Sequence, residues 1–319
     1  MLCKFCRGFN ILGGYMTDNT FLIKQLQHPQ GPVDVVLDTD TYNEIDDQFA
    51  LAYLLLSGDK LRTQAVYAAP FLNNKSTSPK DGMEKSYNEI INVLKLCGRD
   101  DLIPSARKGS DGYLPDEMTP VQSDAASDLV WRALAHSPDD PLYVLAIGAI
   151  TNVASALLIE PAIKNNIVIV FLGGHAVFWP PKPEFNMMQD VAAGRVVFGC
   201  GAPLVQLPCM GVVSHLTVTE PELRHHLKEK SPIGDYLYNI TCGEVQSYGG
   251  GNAWSRVIWD VSTVAWLLSD RFVSDALVPS PIPSYDHGYI HDPHRHLARV
   301  AYYVNRDLIF ADMFAKLSK

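Results

Sequence analysis

Short apolar runs alternate with amphipathic segments along most of the chain. The runs at 33–37, 142–147 and 167–172 are mostly or wholly apolar, which is typical of strands buried on both faces. Between such runs lie segments like 78–96, in which apolar residues recur at helical spacing. Strands without polar alternation that are separated by helices predict a parallel sheet covered by helices on both faces.

The same pattern predicts a full order of elements. Strands are expected at 33–37, 61–69, 142–147, 167–172 and 204–207, and helices at 46–56, 78–96, 125–135, 151–159 and 191–198. Beyond about residue 219 the pattern predicts helices at 220–229, 233–245 and 260–268, short strands within 276–304 and a last helix at 306–317. We therefore expect an α/β fold: a single open, mostly parallel twisted sheet flanked by helices, Rossmann-like, with a helical and short-strand C-terminal part.

Length and composition fit one globular domain. The chain has 319 residues, of which 47% are hydrophobic and 19% charged, and we expect one domain over 33–319 after a partly disordered N-terminal extension at 1–32. The formal net charge of −9 excludes the basic surface of a general nucleic-acid binder. No apolar run approaches the length of a membrane-spanning helix, so neither nucleic acid nor membrane is an expected partner.

The cysteine pattern indicates a reducing compartment. Six cysteines are scattered along the chain: Cys3, Cys6, Cys97, Cys200, Cys209 and Cys242. This is too few for the disulfide framework of a secreted protein, so we expect a cytoplasmic location. Cys3 and Cys6 form a lone C-x-x-C, for which a loose N-terminal extension is favoured over a metal or redox site.

Carboxylates gather where the first predicted strand meets the following helix. Asp38 and Asp40 end the strand, and Asp46 and Asp47 open the helix. Ligands of open parallel sheets bind at the carboxyl ends of the strands. Carboxylates this close repel one another unless a cation compensates, and oxygen ligands suit Ca²⁺ or Mg²⁺. A helix cap at Asp46 with solvated neighbours is the alternative, but four acids directly after a buried strand favour a metal site.

These acids belong to a set of motifs with a recognisable order. The segment 38–50, with Asp38-Thr39-Asp40 and Asp46-Asp47, resembles the N-terminal signature of the inosine–uridine-preferring nucleoside hydrolases. Three further blocks agree with that family in order: 147–154, Gly173-Gly174 with Glu184-Phe185-Asn186, and Trp259-Asp260. The resemblance spans roughly 33–315. It implies an enzyme that hydrolyses the N-glycosidic bond of a ribonucleoside to ribose and free base.

The resemblance also implies roles for individual residues. One Ca²⁺ per chain would be held by Asp40, Asp47, Asp260 and the backbone carbonyl oxygen of Ile147. Asp38 would orient this set, and the ribose hydroxyls would bind Asp46, Glu184 and Asn186. Asp40 would take the proton of the water that attacks C1′ of the ribose. The expected partners are a nucleoside substrate and further copies of the chain in a homodimer or homotetramer.

The sequence departs from the family pattern around the leaving base. Trp259 stands where the family often has a histidine that protonates the leaving purine, and Phe178 stands where the ribose loop often has an asparagine. Candidates for the base pocket are Phe178, Trp179, Trp259, His175 and Tyr248, and Arg256 is a further candidate for the missing acid. These changes favour an unusual base. They leave open a hydrolase of modified nucleosides or other N-ribosides, and a catalytically weak ribosyl-binding protein that kept its metal site.

Two other departures concern the acidic motifs. Five residues, 41–45, separate Asp40 from Asp46 where the family commonly has three, and Glu44 is a candidate to replace Asp46. His291-Asp292-Pro293 copies the letters of the family's C-terminal motif but precedes no apolar helix, so Asp260 is the favoured metal ligand. For the histidines at 287–296, a charged loop near the mouth of the site is favoured over a transition-metal site.

Overall fold

The computed structural model describes residues 19–247, 249, 251 and 253–319. Its strands are β1 Val33–Thr39, β2 Leu61–Ala68, β3 Ala106–Lys108, β4 Leu142–Ala146, β5 Ile167–Leu172, β6 Leu204–Leu207, β7 Thr217–Thr219, β8 Ser255–Val257, β9 Val273–Pro279, β10 Ile282–Pro283, β11 Tyr289–Ile290 and β12 Leu297–Val304. Its helices are α1 Asn19–Gln25, α2 Asp46–Leu55, α3 Pro79–Leu96, α4 Asp124–Leu134, α5 Thr151–Ile159, α6 Phe185–Gln189, α7 Val191–Gly199, α8 Glu220–His226, α9 Pro232–Ser247, α10 Val261–Leu268 and α11 Arg306–Leu317.

Eight strands form the central sheet. Their order is β3-β2-β1-β4-β5-β6-β12-β9. Neighbours from β3 to β12 run parallel, and β9 pairs antiparallel with β12 at one edge. The predicted α/β architecture is therefore confirmed. The C-terminal strands are longer than expected, because β12 and β9 have eight and seven residues and complete the main sheet.

The apolar runs are buried on both faces of this sheet, as their sequence pattern requires. Every residue of β4 and β5 is buried. Val144 and Ile169 pack into the core on one side, whereas Leu145 and Val170 pack into the core on the other. Helices cover both sides, which explains why these strands show no polar alternation. Within the described part of the chain, no helix is both long and apolar enough to cross a membrane.

The packed domain reaches further towards the N-terminus than expected. The sequence pattern predicts a start at Val33, but α1 precedes that strand, and Leu22 and Leu26 are fully buried in the core. His28 then ties this segment down, because its Nδ1 lies 2.9 Å from the carbonyl oxygen of Trp266. A helix of seven residues with so few buried positions carries too weak a pattern to detect in sequence. Cys3 and Cys6 lie outside the described residues.

The strand order fixes where a ligand can bind. β1 pairs with β2 on one side and with β4 on the other, so the chain leaves β1 and β4 in opposite directions across the sheet. This divergence opens a crevice at the carboxyl ends of the two strands, which is the usual ligand site of such sheets. The acidic segment 38–47 begins in the last two residues of β1 and continues beyond it, and the turn at 147–150 follows β4.

Candidate active site

Three buried aspartates from two helices meet beside this crevice. Asp46 and Asp47 open α2, and Asp260 directly precedes α10. Carboxylate oxygens of the three lie within 4.8 Å of one another. The two helices pack together, so residues more than 200 positions apart share one site. The aspartate brought into the cluster is Asp260, as favoured, whereas Asp292 accepts a hydrogen bond from the backbone of His294 in its own turn.

Asp40 lies at the end of β1 and lines the same cavity. Its side chain is buried, and among the described residues neither carboxylate oxygen has a hydrogen-bond partner. Gly148 gives it room, because a Cβ at that position would lie 3.1 Å from the Asp40 carboxyl carbon. Burying a carboxylate without a partner raises the free energy of the folded state. The surroundings of Asp40 therefore favour the binding of a cation or a proton donor.

The raised pKa values of the clustered aspartates also indicate a site for a cation. Burial, and then repulsion from neighbouring acids, raises the pKa of Asp40, Asp46 and Asp260 well above the ordinary value. Burial raises the pKa of Asp47 to about 7, although the Thr39 hydroxyl opposes the shift by donating a hydrogen bond to it over 2.6 Å. A cation would offset this repulsion. Ligands that are all oxygen suit a hard ion, so the cluster fits a metal such as Ca²⁺ or Mg²⁺.

Asp38 lies behind this cluster. Its Oδ1 accepts a hydrogen bond from Asn152 Nδ2 over 2.8 Å, and burial raises its pKa to about 7. The same asparagine accepts bonds from the backbone and hydroxyl of Ser110 through its Oδ1. Asn152 therefore connects β1, α5 and the segment after β3. The sequence motif contained Asn152, but nothing in its spacing indicated this role.

We expect Asn152→Ala to lower the free energy of unfolding by about 2–3 kcal/mol, because it leaves Asp38 and the Ser110 backbone without buried partners. Urea unfolding monitored by circular dichroism measures the change. Asn74→Ala, at an exposed position, is the matched control and should change the unfolding free energy by less than about 0.5 kcal/mol. Equal unfolding free energies for Asn152→Ala and the parent protein would contradict the role assigned to Asn152.

Glu184 and Asn186 form the wall of the cavity at the end of β5. The Glu184 carboxylate accepts backbone hydrogen bonds from Gly174, Asn186 and Met187 over 2.7–3.0 Å. Burial nevertheless raises the pKa of Glu184. The Asn186 amide nitrogen donates to the carbonyl oxygens of Ile147 and Leu172, which leaves its own Oδ1 as an acceptor towards a ligand. Sequence reasoning placed these two side chains together but did not foresee their backbone partners.

The cavity has a volume of about 190 Å³. Its lining includes these residues with a predicted role: Asp40, Asp46, Asp47, Ile147, His175, Glu184, Asn186, Trp259 and Asp260. The lining also includes Asn43, Glu44, Cys209 and Met210, to which the sequence analysis gave no firm role. Trp179 lines an adjoining cavity, Phe178 is 71% exposed, and Tyr248 lies outside the described residues.

Comparison with known proteins decides the family. Residues 35–307 match the family described as inosine-uridine preferring nucleoside hydrolase. The chain belongs to this family. It hydrolyses the N-glycosidic bond of ribonucleosides, as the motifs predicted, and its expected partner is therefore a nucleoside substrate.

Relatives in sequence include two proteins named pyrimidine-specific ribonucleoside hydrolase RihA. The one from Enterobacter sp. is 26% identical over 259 residues, which cover 73% of this chain and 78% of the relative. The one from Citrobacter koseri is 30% identical over 239 residues, which cover 66% and 75% of the two chains. Both relatives thus align over most of their length.

Solved structures share the fold at low sequence identity. The plant nucleoside hydrolase PpNRh1 has a TM-score of 0.71 and 19% identity, with 90% of this chain and 99% of that one covered. A purine-preferring ribonucleoside hydrolase from Gardnerella vaginalis also has a TM-score of 0.71 and 19% identity, with 89% and 98% covered. At this identity the likeness concerns the fold alone.

The long acidic loop of this nucleoside hydrolase is anchored at two points. The Asn43 amide oxygen accepts a hydrogen bond from Asn73 Nδ2 over 2.6 Å. Glu44 forms an ion pair with Arg256 of β8 at 2.7 Å and lines the cavity. Glu44 therefore lies beside Asp46 rather than in its place, because Asp46 also lines the cavity and accepts the backbone N–H of Trp259 over 2.9 Å.

Proposed function

We propose that this nucleoside hydrolase binds one Ca²⁺ through Asp40, Asp47, Asp260 and the carbonyl oxygen of Ile147. The observation that carries the proposal is the pair of unpartnered Asp40 oxygens beside three crowded buried carboxylates. Calcium takes six to eight oxygen ligands in flexible geometry, whereas Mg²⁺ demands a near-ideal octahedron and keeps most of its water. A set of several carboxylates and a carbonyl favours calcium.

The reaction then follows from the chain's own groups. When bound, the cation would lower the pKa of the attacking water and hold the sugar diol. Asp40, which lines the cavity, accepts the proton of that water as it attacks C1′. Asp46, Glu184 and Asn186 bind the ribose hydroxyls, and the surrounding carboxylates stabilise the positive charge that develops on the sugar ring.

At the position where the family often has a histidine acid, this chain presents the aromatic side chain of Trp259 to the leaving base. Trp259 lines the cavity, and its backbone N–H is fixed by Asp46. Tryptophan offers no useful proton donor for a leaving base but stacks well on one. We propose that the preferred substrate carries a base able to depart without protonation by a histidine at position 259, which includes modified bases.

We expect ribose release from at least one nucleoside in a panel of common and modified ribonucleosides, and loss of that release in chelator. Reducing-sugar formation measures turnover. Calcium added back after chelation should restore turnover more completely than equimolar Mg²⁺. Turnover that resists prolonged chelation would contradict the metal role. Calcium binding without turnover of any modified nucleoside in the panel would contradict the proposed preference for such bases.

Two further proposals concern the location of the protein in the cell and its oligomeric state. We propose a cytoplasmic location, supported by free thiols at the four cysteines that the structure describes: Cys97, Cys200, Cys209 and Cys242. We also propose a homodimer or homotetramer, supported by the family resemblance. Light scattering coupled to size-exclusion chromatography would measure a mass of two or four chains.

A further inference from the structure

The active-site cavity contains a side-chain amide to which the reaction above gives no task. Asn43 lies in the long acidic loop, three residues before Asp46, and it lines the cavity while only 7% exposed. Its backbone N–H donates a 2.7 Å hydrogen bond to the backbone carbonyl oxygen of Asp40. Asn43 is therefore held directly beside the residue that accepts the proton of the attacking water.

A short series of hydrogen bonds fixes which atom of this amide is left for a ligand. The backbone N–H of Lys75 donates to Asn73 Oδ1 over 2.8 Å. Because a backbone N–H can only donate, Asn73 directs its oxygen to Lys75 and its Nδ2 to Asn43 Oδ1. Asn43 Nδ2 is the last donor of the series, and within the described part of the chain no residue accepts a hydrogen bond from it. A buried amide nitrogen in this state favours an acceptor that the ligand supplies.

The strand order shows which part of a nucleoside meets this nitrogen. Along the sheet the order is β2-β1-β4-β5, and Asn186 bridges β4 and β5 by donating to one backbone carbonyl at the end of each. Asn73 lies in the loop after β2, on the other side of β1. A ribose with C1′ near Asp40 and hydroxyls that reach Asn186 therefore directs its base away from β5, towards β2 and Asn43.

The other nitrogen donors in the described lining of the cavity are not placed for the edge of the base. Two carbonyl oxygens already occupy the Asn186 amide nitrogen. His175 follows β5 and so lies on the ribose side. A Trp259 ring that stacks on the base holds its N–H parallel to the plane of the base, where it misses the acceptors at the edge. Asn43 is thus the donor on the base side of the cavity.

Resting on the proposed function, we propose that Asn43 Nδ2 donates a hydrogen bond to the leaving base, at O2 of a pyrimidine or N3 of a purine. These acceptors occupy equivalent places two bonds from the glycosidic nitrogen, so one donor serves either class. As the C1′–N bond breaks, its electron pair goes to the base and the negative charge spreads onto this acceptor. The hydrogen bond therefore strengthens in the transition state. The attacking water gives its oxygen to C1′ and its proton to Asp40, and the departed base takes a proton from solvent.

Steady-state kinetics with two kinds of leaving group tests the proposal. Inosine releases a base that carries this acceptor, whereas 4-nitrophenyl β-D-ribofuranoside lacks it and releases a phenolate that is stable as an anion. We expect Asn43→Ala to lower kcat/KM by roughly 10- to 100-fold for inosine and by less than about twofold for the nitrophenyl riboside. Retained activity on the nitrophenyl riboside shows that the variant is folded. Asn74→Ala, at an exposed position of the neighbouring loop, is the matched control and should keep both values.

Removal of the acceptor from the substrate gives a second measurement that leaves the protein unaltered. 3-Deazainosine carries a C–H group in place of N3. Deletion of the donor and deletion of the acceptor remove the same interaction, so their effects should not add. The unaltered protein should therefore prefer inosine over 3-deazainosine at least about tenfold more strongly than Asn43→Ala does. Equal preferences in the two proteins overturn the proposal.

The outcomes separate the role of Asn43 from the proposed calcium site. Chelator-sensitive hydrolysis with equal losses in Asn43→Ala on inosine and on the nitrophenyl riboside would keep the calcium site and overturn the role of Asn43. A selective loss on inosine, together with turnover that resists chelation, would support the role of Asn43 and overturn the calcium site.

Discussion

Asp40→Asn should lower kcat for nucleoside hydrolysis by at least about a thousandfold. A well-placed general base contributes roughly 10²–10⁴-fold to rate, and this substitution also removes one charge from the proposed calcium ligands. The amide is nearly the same size as the carboxylate, so packing around this buried position should survive. Initial rates of ribose release at saturating substrate measure the effect. Asp59→Asn, at an exposed position after α2, is the matched control and should retain the parental kcat.

Metal content separates the two roles assigned to Asp40. If Asp40→Asn keeps one calcium per chain and still loses activity, the loss belongs to proton transfer. If calcium is lost as well, activity at increasing calcium concentration distinguishes weak binding from loss of the base. An Asp40→Asn protein with the parental kcat would contradict the assignment of Asp40 as the base, whatever its calcium content.

The sequence predicted most about the buried strands and about the acidic residues that follow the first of them. The apolar runs of β4 and β5 predicted buried parallel strands, and the acids after β1 predicted the edge at which the site lies. Asp260 was found through the family motif, since no local pattern relates it to Asp46. Its place in the cluster depends on how α10 packs against α2, which is a tertiary contact.

The residues that escaped prediction act through long-range contacts. The sequence alone leaves the role of Glu44 open between replacing Asp46 and lying beside it. In the structure Glu44 forms an ion pair at 2.7 Å with Arg256, which is 212 positions away. Asn152 supports Asp38 from a separate strand–helix unit, 114 positions away in sequence. Neither pairing follows from local spacing or from residue type. The adjoining cavity that Trp179 lines combines the loop after β5 with the β10–β11 turn, and the sequence predicted there only a charged loop with histidines at 287–296 near the mouth of the site.

The stabilisation that calcium confers should grow as the pH rises from 5 to 7. Burial raises the pKa of Asp38 and Asp47 to about 7 in the metal-free fold, while the unfolded chain keeps their ordinary pKa of 3.8. Between these values the folded state holds protons that the unfolded state has released. Raising the pH therefore removes stability from the metal-free protein, and the loss is complete above the folded pKa.

Differential scanning fluorimetry with calcium and with chelator measures this effect at each pH. The half-buried His296, whose pKa is lowered to about 4 by desolvation, contributes a pH dependence of opposite sign, but it is common to both conditions and cancels in their difference. We expect the gap between the two Tm values to widen by on the order of 5 °C from pH 5 to pH 7. Asp47→Asn should narrow that gap at pH 7, because it removes both a raised pKa and a proposed ligand. A gap that stays constant or shrinks with rising pH would contradict the coupling of calcium binding to the raised pKa of Asp38 and Asp47.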